Sequence, residues 1–244
     1  MNSERGDMMG ARLRQSHGVD PAAYERDLKR NGDFFRGNYL RHMPADKAAP
    51  ILEIGCGLGQ FLAFCRAHKY TDVTGIDLSS DNIAFCLERG LHVQLAEGLQ
   101  FLTTIERFFG MIVMNDVIEH VPKPQVIPFL QRVHNRLLPG GALILKTINA
   151  ANPILGAHGR YADFTHETGW TEESMRQVLE QAGFDPVDIL PSNLYVFHGN
   201  PLNLVALGMA KLFEWLFLFY FRLHGRNTTH VFTKNLIAVA RKSA

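Results

Sequence analysis

The sequence is poor in cysteine: Cys56, Cys65 and Cys86 are an odd number and lack any C-x-x-C spacing. That excludes a disulfide framework and a thiolate-rich zinc site, and fits reduced thiols in a cytosolic chain. Net charge is also nearly absent, since 25 Lys and Arg balance 24 Asp and Glu to give a formal +1. No basic run interleaved with aromatics occurs, so nucleic acid is not an expected partner. The opening MNSERGDMMGARLRQSHG holds no apolar core of a secretory leader, which points to the cytoplasm. What is present is apolar material, 46% of residues against 20% charged. That composition excludes global disorder and lets 244 residues bury the core of a single α/β domain with added segments.

Along the chain, residues 1–20 read as a polar tail. From Pro21 the apolar residues Tyr24, Leu28, Phe34, Phe35, Tyr39 and Leu40 recur at helical spacing, and 44–50 breaks the pattern. This is either a cap helix laid over a site or a helix packed on the sheet. Short apolar runs at 51–54, 73–76, 93–95, 111–114 and 142–147 then alternate with amphipathic stretches at 60–68, 80–89 and 123–138. A further helix is expected over 171–182 and a last strand over 235–240. Strand and helix in regular alternation predict a parallel sheet with helices on both faces. The resulting division is a tail and cap helix (1–45), a core (46–199), an apolar helical insertion (200–228) and the core's final strand (229–244).

The insertion contains LNLVALGMAKLFEWLFLFYFRLH at 202–224. At about 100° per residue, Asn203, Lys211, Glu214 and Arg222 share a sector of roughly 100° and the rest of the wheel is apolar. The run is long enough to cross a bilayer, but Lys211 and Glu214 at its centre would be costly in hydrocarbon. The remaining readings are a helix lying in a membrane interface and a helix buried in the core or between two copies in a homodimer.

Residues 51–62 read ILEIGCGLGQFL, a buried strand entering Gly55, Gly57 and Gly59 at two-residue spacing. Glycines there allow a tight turn and close backbone approach to a ligand, with unpaired N–H groups ahead of the next helix. A dinucleotide loop, G-x-G-x-x-G, requires glycine at position 60, where Gln60 stands. The acid before the loop, Glu53, repels a pyrophosphate and suits a ligand bearing an ammonium. Asp77 ends the next strand, 20 residues beyond Gly57, where it can accept from both hydroxyls of a ribose. The alternative is a tight turn followed by an aspartate that merely caps a helix.

From residue 51 to 147 the chain resembles the Rossmann-like class I S-adenosylmethionine-dependent methyltransferases, especially those acting on small metabolites, quinone precursors and sugars. The resemblance implies a doubly wound, mostly parallel seven-stranded sheet with an antiparallel last strand. S-adenosyl-L-methionine is then the cofactor and S-adenosyl-L-homocysteine the product. It implies that the loop from Glu53 through Gly55, Cys56 and Gly57 to Gly59 wraps the methionine moiety, while Asp77, followed by Leu78, holds the ribose. LAEGLQFL at 95–102 resembles the segment lining the adenine, with Glu97 and Gly98 at the ring, although the family typically has Asp where Glu97 stands. FGMIVMND places Asn115 and Asp116 beside the cofactor.

Methyl transfer requires alignment of nucleophile and methyl and removal of a proton when the nucleophile is a hydroxyl. Two clusters suit that task. Asp116, Glu119 and His120 lie just past the fourth strand and resemble the cluster implicated in divalent-cation binding in quinone-pathway O-methyltransferases. Alternatively, Glu119 and His120 only organise their loop. The second cluster is RYADFTHETGWT at 160–171, with Arg160, Tyr161, Asp163, Thr165, His166 and Glu167. His166 is the first choice of general base, His120 its rival, and Asp163 a third catalytic candidate. The leading expectation is O-methylation of a glycan, a lipid-linked sugar or a related metabolite, with residues 202–224 bringing the enzyme to the inner face of a membrane. The alternatives are a metal-assisted O-methyltransferase of quinones or polyprenyl phenols and a cofactor-binding scaffold without turnover.

Overall fold

The structure, a computed structural model, describes residues 20–192 and 202–243; the polar tail and the segment at 193–201 lie outside them. The first helix, α1 (Pro21–Asn38), starts where Asp20 accepts from the Ala22 and Ala23 N–H groups, with Pro21 in the first turn. Seven strands follow: β1 (Ile51–Ile54), β2 (Val73–Asp77), β3 (Val93–Leu95), β4 (Phe109–Asn115), β5 (Leu137–Ile148), β6 (Val187–Pro191) and β7 (Asn235–Arg241). Between them lie α2 (Gln60–Ala67), α3 (Ser80–Glu88), α4 (Gly98–Thr104), α5 (Val126–Arg136), α6 (Gly156–Tyr161), α7 (Glu172–Gln181) and α8 (Leu202–Leu223).

The strands form one sheet in the order β3-β2-β1-β4-β5-β7-β6. Pairing is parallel from β3 to β5, and β7 runs antiparallel between β5 and β6. Alternate strand residues feed opposite faces, as the two-residue period of a strand dictates. Leu52, Ile54, Ile112, Met114, Leu143 and Leu145 pack with α4, α5 and α7. Ile51, Met111, Val113, Ala142 and Ile144 pack with α1, α2 and Tyr39. The doubly wound expectation therefore holds. Strand order reverses between β1 and β4, so the carboxyl ends of those strands flank the crevice where such sheets bind ligands.

Three details differ from the sequence reading. Helix α5 stops at Arg136, because Leu137 already pairs with Phe109 in β5 and a register shift precedes the Met111–Ala142 pair. Gly140, at φ +72°, absorbs that irregularity. Strand β6 was not anticipated: it is an edge strand of five residues ending in proline, paired only to β7. The short helices α4 and α6 also escaped periodicity, being seven and six residues long.

Helix α8 is not a core helix of this chain. Leu207, Ala210, Glu214, Phe217 and Phe221 form a half-buried stripe at three- and four-residue spacing. Phe217 and Phe221 lie against Phe232, with ring centroids 6.1 and 4.8 Å away. The opposite side, including Val205, Leu212, Trp215, Leu216, Phe219 and Leu223, is exposed. Helical geometry of about 100° per residue puts Glu214 on the packed stripe and the exposed Lys211 and Arg222 along one margin of the outward apolar face.

Candidate active site

At the carboxyl edge of β1, three glycines hold left-handed backbone: φ is +72° at Gly55, +52° at Gly57 and +76° at Gly59. A Cβ on Gly55 would meet Val117 Cγ2 at 2.5 Å, and one on Gly59 would meet Leu91 Cδ1 at 2.4 Å. A Cβ on Gly57 would meet nothing within 4 Å. The outer two glycines thus permit packing, whereas the middle one faces open space. Cys56 is packed inward with Leu62 and Cys86, so its backbone, not its thiol, belongs to the loop. The Cys86 thiol donates to the Gly57 carbonyl at 3.4 Å.

Glu53 and Asn115 share the sheet face covered by α1. The Asn115 amide donates to Glu53 Oε1 at 3.0 Å, and the Tyr39 hydroxyl donates to Asn115 Oδ1 at 2.6 Å. Glu53 is buried and its Oε2 has no hydrogen-bond partner. Burial pushes this carboxyl well above the usual carboxylate range, against the pull of the Asn115 bond. Asp77 accepts from Gly57 N–H at 2.8 Å and from Ser79 N–H at 2.8 Å, with Asn82 Nδ2 at 3.2 Å. It braces the glycine loop and the start of α3 together. The side chain of Leu78 is exposed beside it. Glu97 caps α4, accepting from Leu99 N–H at 3.0 Å and Gln100 N–H at 2.6 Å. Gly98 brings α4 close to the sheet, since a Cβ there would meet Ile54 Cγ2 at 3.0 Å. The helix α1 packs on the sheet and grips this edge: the Tyr24 hydroxyl donates to the Leu58 carbonyl at 3.2 Å.

Beyond β4, Asp116 takes left-handed backbone at φ +55°, a conformation aspartate tolerates. Its Oδ2 pairs with Lys146 Nζ at 2.6 Å. Glu119 is buried beside Thr147 with no well-formed hydrogen bond to either carboxyl oxygen, and its pKa is pushed up to about 8 by burial and then by the Asp116 charge. A short 3-10 turn, Ile118–His120, carries His120 against His166, ring centroids 4.7 Å apart. His120 Nδ1 lies 3.0 Å from Thr165 Oγ1, which in turn donates to Asp163 Oδ1 at 2.7 Å. His166 Nδ1 lies 2.9 Å from the Gly159 carbonyl. Burial lowers the His120 pKa, helped by the His166 charge, so its neutral form is favoured. The loop is docked on Glu119, whose carbonyl accepts from Glu167 N–H at 2.6 Å and Thr168 N–H at 3.3 Å.

A family profile described as a methyltransferase domain matches residues 22–189. The chain belongs to the class I S-adenosylmethionine-dependent methyltransferases. Among curated proteins, it is similar to the ubiquinone biosynthesis O-methyltransferase of Psychrobacter arcticus, 30% identical over 63% of this chain and 63% of that one. This chain thus spans somewhat under two thirds of that relative. A second, from Dinoroseobacter shibae, is 29% identical over 77% of this chain and 80% of that one. Among solved structures, an S-adenosylmethionine-dependent methyltransferase from Archaeoglobus fulgidus shares the fold at TM-score 0.63 and 18% identity, covering 90% of this chain and 98% of that one.

S-adenosylmethionine is the cofactor of this methyltransferase, and the residues fit it. The orphaned, buried Glu53 Oε2 is placed to receive an ammonium, and the space over Gly57 admits a ligand against bare backbone. The divalent-cation cluster does not fit in the same way. Asp116 is turned to Lys146, Glu119 is buried beside Thr147, and no three His, Cys, Asp or Glu residues converge as a ligand set among the described residues. Sequence reasoning missed Tyr39 and Lys146, whose roles come from cross-element contacts and leave no local motif. Thr165, one of the polar residues of 160–171, has its hydroxyl engaged with His120 and Asp163.

Proposed function

We propose that this methyltransferase transfers the methyl group to a hydroxyl oxygen of an apolar small molecule, foremost a phenol of quinone-precursor type, at the inner face of a membrane. The observation that carries the reading is a half-buried imidazole, His120, just past β4, held by Thr165 and set against His166, beside a loop anchored to the segment on which the apolar helix α8 packs. That anchorage runs through Asn149, which donates to the Val231 and Thr233 carbonyls at 2.8 and 3.0 Å, and through Asn152, which donates to the Phe232 carbonyl at 2.6 Å. Phe232 is also the residue on which α8 packs.

When bound, S-adenosylmethionine supplies an electrophilic methyl on a positively charged sulfur. Glu53 would hold the ammonium end, Gly55 to Gly59 the methionine moiety, and Asp77 the ribose. Glu97 keeps unused lone pairs for the adenine amine while capping α4. His120 would take the hydroxyl proton as the new C–O bond forms and the methyl C–S bond breaks, its electron pair staying on the sulfur of S-adenosylhomocysteine. This reverses the order of His166 and His120 suggested by the sequence, because His120 is the ring held by the Asp163–Thr165 pair. The names of the curated relatives support a phenolic acceptor over the glycan or lipid-linked sugar. The polar loop at 160–171 uses much of its polarity internally, with Arg160 donating to the Glu167 carbonyl at 2.9 Å.

The test is transfer of labelled methyl to two acceptors, a catechol-type phenol with an isoprenoid tail and a lipid-linked sugar. The phenol is expected to be methylated, and His120→Ala to lower kcat by roughly 10²–10⁴-fold with the cofactor KM unchanged. Methylation of the sugar alone would overturn the acceptor class. Cofactor binding without transfer to either would favour the scaffold reading.

A further inference from the structure

We infer that Asp163 and Thr165 are positioning residues that lock His120 as the Nδ1–H tautomer, so that its proton-accepting lone pair lies on Nε2. The inference rests on the reading of His120 as the proton acceptor and supplies what that reading lacks, a reason for the ring to present one particular nitrogen.

The tautomer follows from a count of protons. Thr165 has one hydroxyl hydrogen and two neighbours, Asp163 Oδ1 at 2.7 Å and His120 Nδ1 at 3.0 Å. An ionised carboxylate can only accept, so the hydroxyl hydrogen goes to Asp163. The same carboxylate oxygen accepts the Thr165 backbone N–H at 2.9 Å, which fixes the aspartate over the threonine. Thr165 Oγ1 then has only lone pairs for the histidine, and Nδ1 must be the donor. The Thr165 carbonyl, 3.4 Å from the same nitrogen, also can only accept and pulls the same way. Asp163 is the deciding member: without a carboxylate there, the hydroxyl could rotate and donate to Nδ1, moving the ring proton to Nε2.

His166 reaches the same tautomer by another route. Its Nδ1 meets the Gly159 carbonyl, which has no proton to give. A Cβ on Gly159 would meet Ile148 Cγ2 at 2.4 Å, so this carbonyl is set by close packing of α6 on β5. The tautomer of His166 is therefore fixed by backbone and that of His120 by a side-chain relay, and only the second can be altered by substituting the relay's side chains.

The test reads the ring directly. In protein labelled with 15N-histidine, at a pH where His120 is neutral, the His120 signals should show a protonated Nδ1 and a bare Nε2. Asp163→Ala, which removes the acceptor of the Thr165 hydroxyl, should shift the ring toward the Nε2–H tautomer and lower kcat at least tenfold, with the cofactor KM unchanged. Thr165→Val should lower kcat similarly, and Thr165→Ser, which keeps the hydroxyl, should restore both tautomer and turnover. His166 should keep its tautomer in all three variants. A wild-type His120 with its proton on Nε2 overturns the inference whatever the turnover. So does a set of variants in which tautomer and kcat both stay at wild-type values. The predicted tautomer together with full turnover in His120→Ala would instead overturn the proton-acceptor role of His120, a separate failure.

Discussion

The two halves of the sheet's carboxyl edge are built from different materials. Around β1 to β3 the site is largely backbone: three glycines at positive φ, open space over Gly57, and Asp77 tying loop to helix. Around β4 and β5 it is side chain: an Asp–Thr–His relay, two imidazoles in contact, and a buried glutamate without a well-formed hydrogen bond. A backbone site must spell itself out in residue types, because only glycine occupies those conformations without strain. A side-chain site can be assembled from common residues that meet only after folding. On the proposed function, the first half serves S-adenosylmethionine and the second serves the acceptor.

The sharpest way to break the backbone half is Gly55→Ala. The added methyl would collide with Val117 at 2.5 Å and hold φ +72° against its preference. Left-handed strain of about 1–2 kcal/mol plus overpacking of about 1–3 kcal/mol should cost on the order of 100-fold in S-adenosylmethionine affinity by calorimetry. Asp77→Ala should cost at least about tenfold, or 1.4 kcal/mol, by freeing Gly57 N–H and removing the ribose acceptor. Gly57→Ala, with strain but no collision, should cost less than Gly55→Ala. Equal losses at Gly55 and Gly57 would mean that the loop's packing against Val117 does not matter.

This division explains how much could be read before folding. The buried run at 51–54, the E-x-G-x-G-x-G spacing and the acid 20 residues on were legible because each is a local pattern with a backbone cause. Four of the seven strands had the short apolar run of a buried strand, and β3 and β7 were also found. Strand β6 was not, because one neighbour and a terminal proline leave only a weak alternation. The relay was only half legible. His120, Asp163 and His166 stood out as residue types, but nothing in RYADFTHETGWT shows that Thr165 turns to a histidine 45 positions earlier. Tyr39 was taken as one more apolar point of a helix, yet its hydroxyl reaches Asn115, 76 positions away.

Helix α8 sharpens the contrast on the acceptor side, where one apolar surface is offered and none of its 20-residue apolar window is buried within the chain. Replacing Trp215 and Phe219, which are exposed and stacked on one another at 6.0 Å, by serine removes two large anchors from the outward face. Each buried aromatic is worth roughly 1.5–3 kcal/mol, so partitioning onto anionic lipid vesicles should fall at least tenfold while thermal stability stays unchanged. Phe217→Ala and Phe221→Ala should do the reverse, lowering stability through the lost contact with Phe232. If vesicle binding is absent in the wild type and the serine variant instead dissociates a dimer, the outward face is a contact between copies.

The smallest effect concerns the glutamate buried between the two clusters. Glu119 titrates near pH 8 in the folded chain, against an ordinary value near 4.5, because burial and the Asp116 charge oppose its ionisation. The folded state therefore holds a proton that the unfolded state releases between these two pH values. Stability contributed by the neutral acid is complete below about pH 4.5, declines as pH rises, and is gone above about pH 8. Between pH 6 and pH 8 the decline is on the order of 1–2 kcal/mol, read as a fall in denaturation midpoint. Glu119→Gln carries no titrating proton, so its midpoint should fall less over the same interval, whatever the substitution does to absolute stability. A variant with the wild-type slope would mean that Glu119 is already ionised at neutral pH. The acid would then be paired with a cation, and the side-chain half of the site would be held by charge in addition to the Asp163–Thr165–His120 relay.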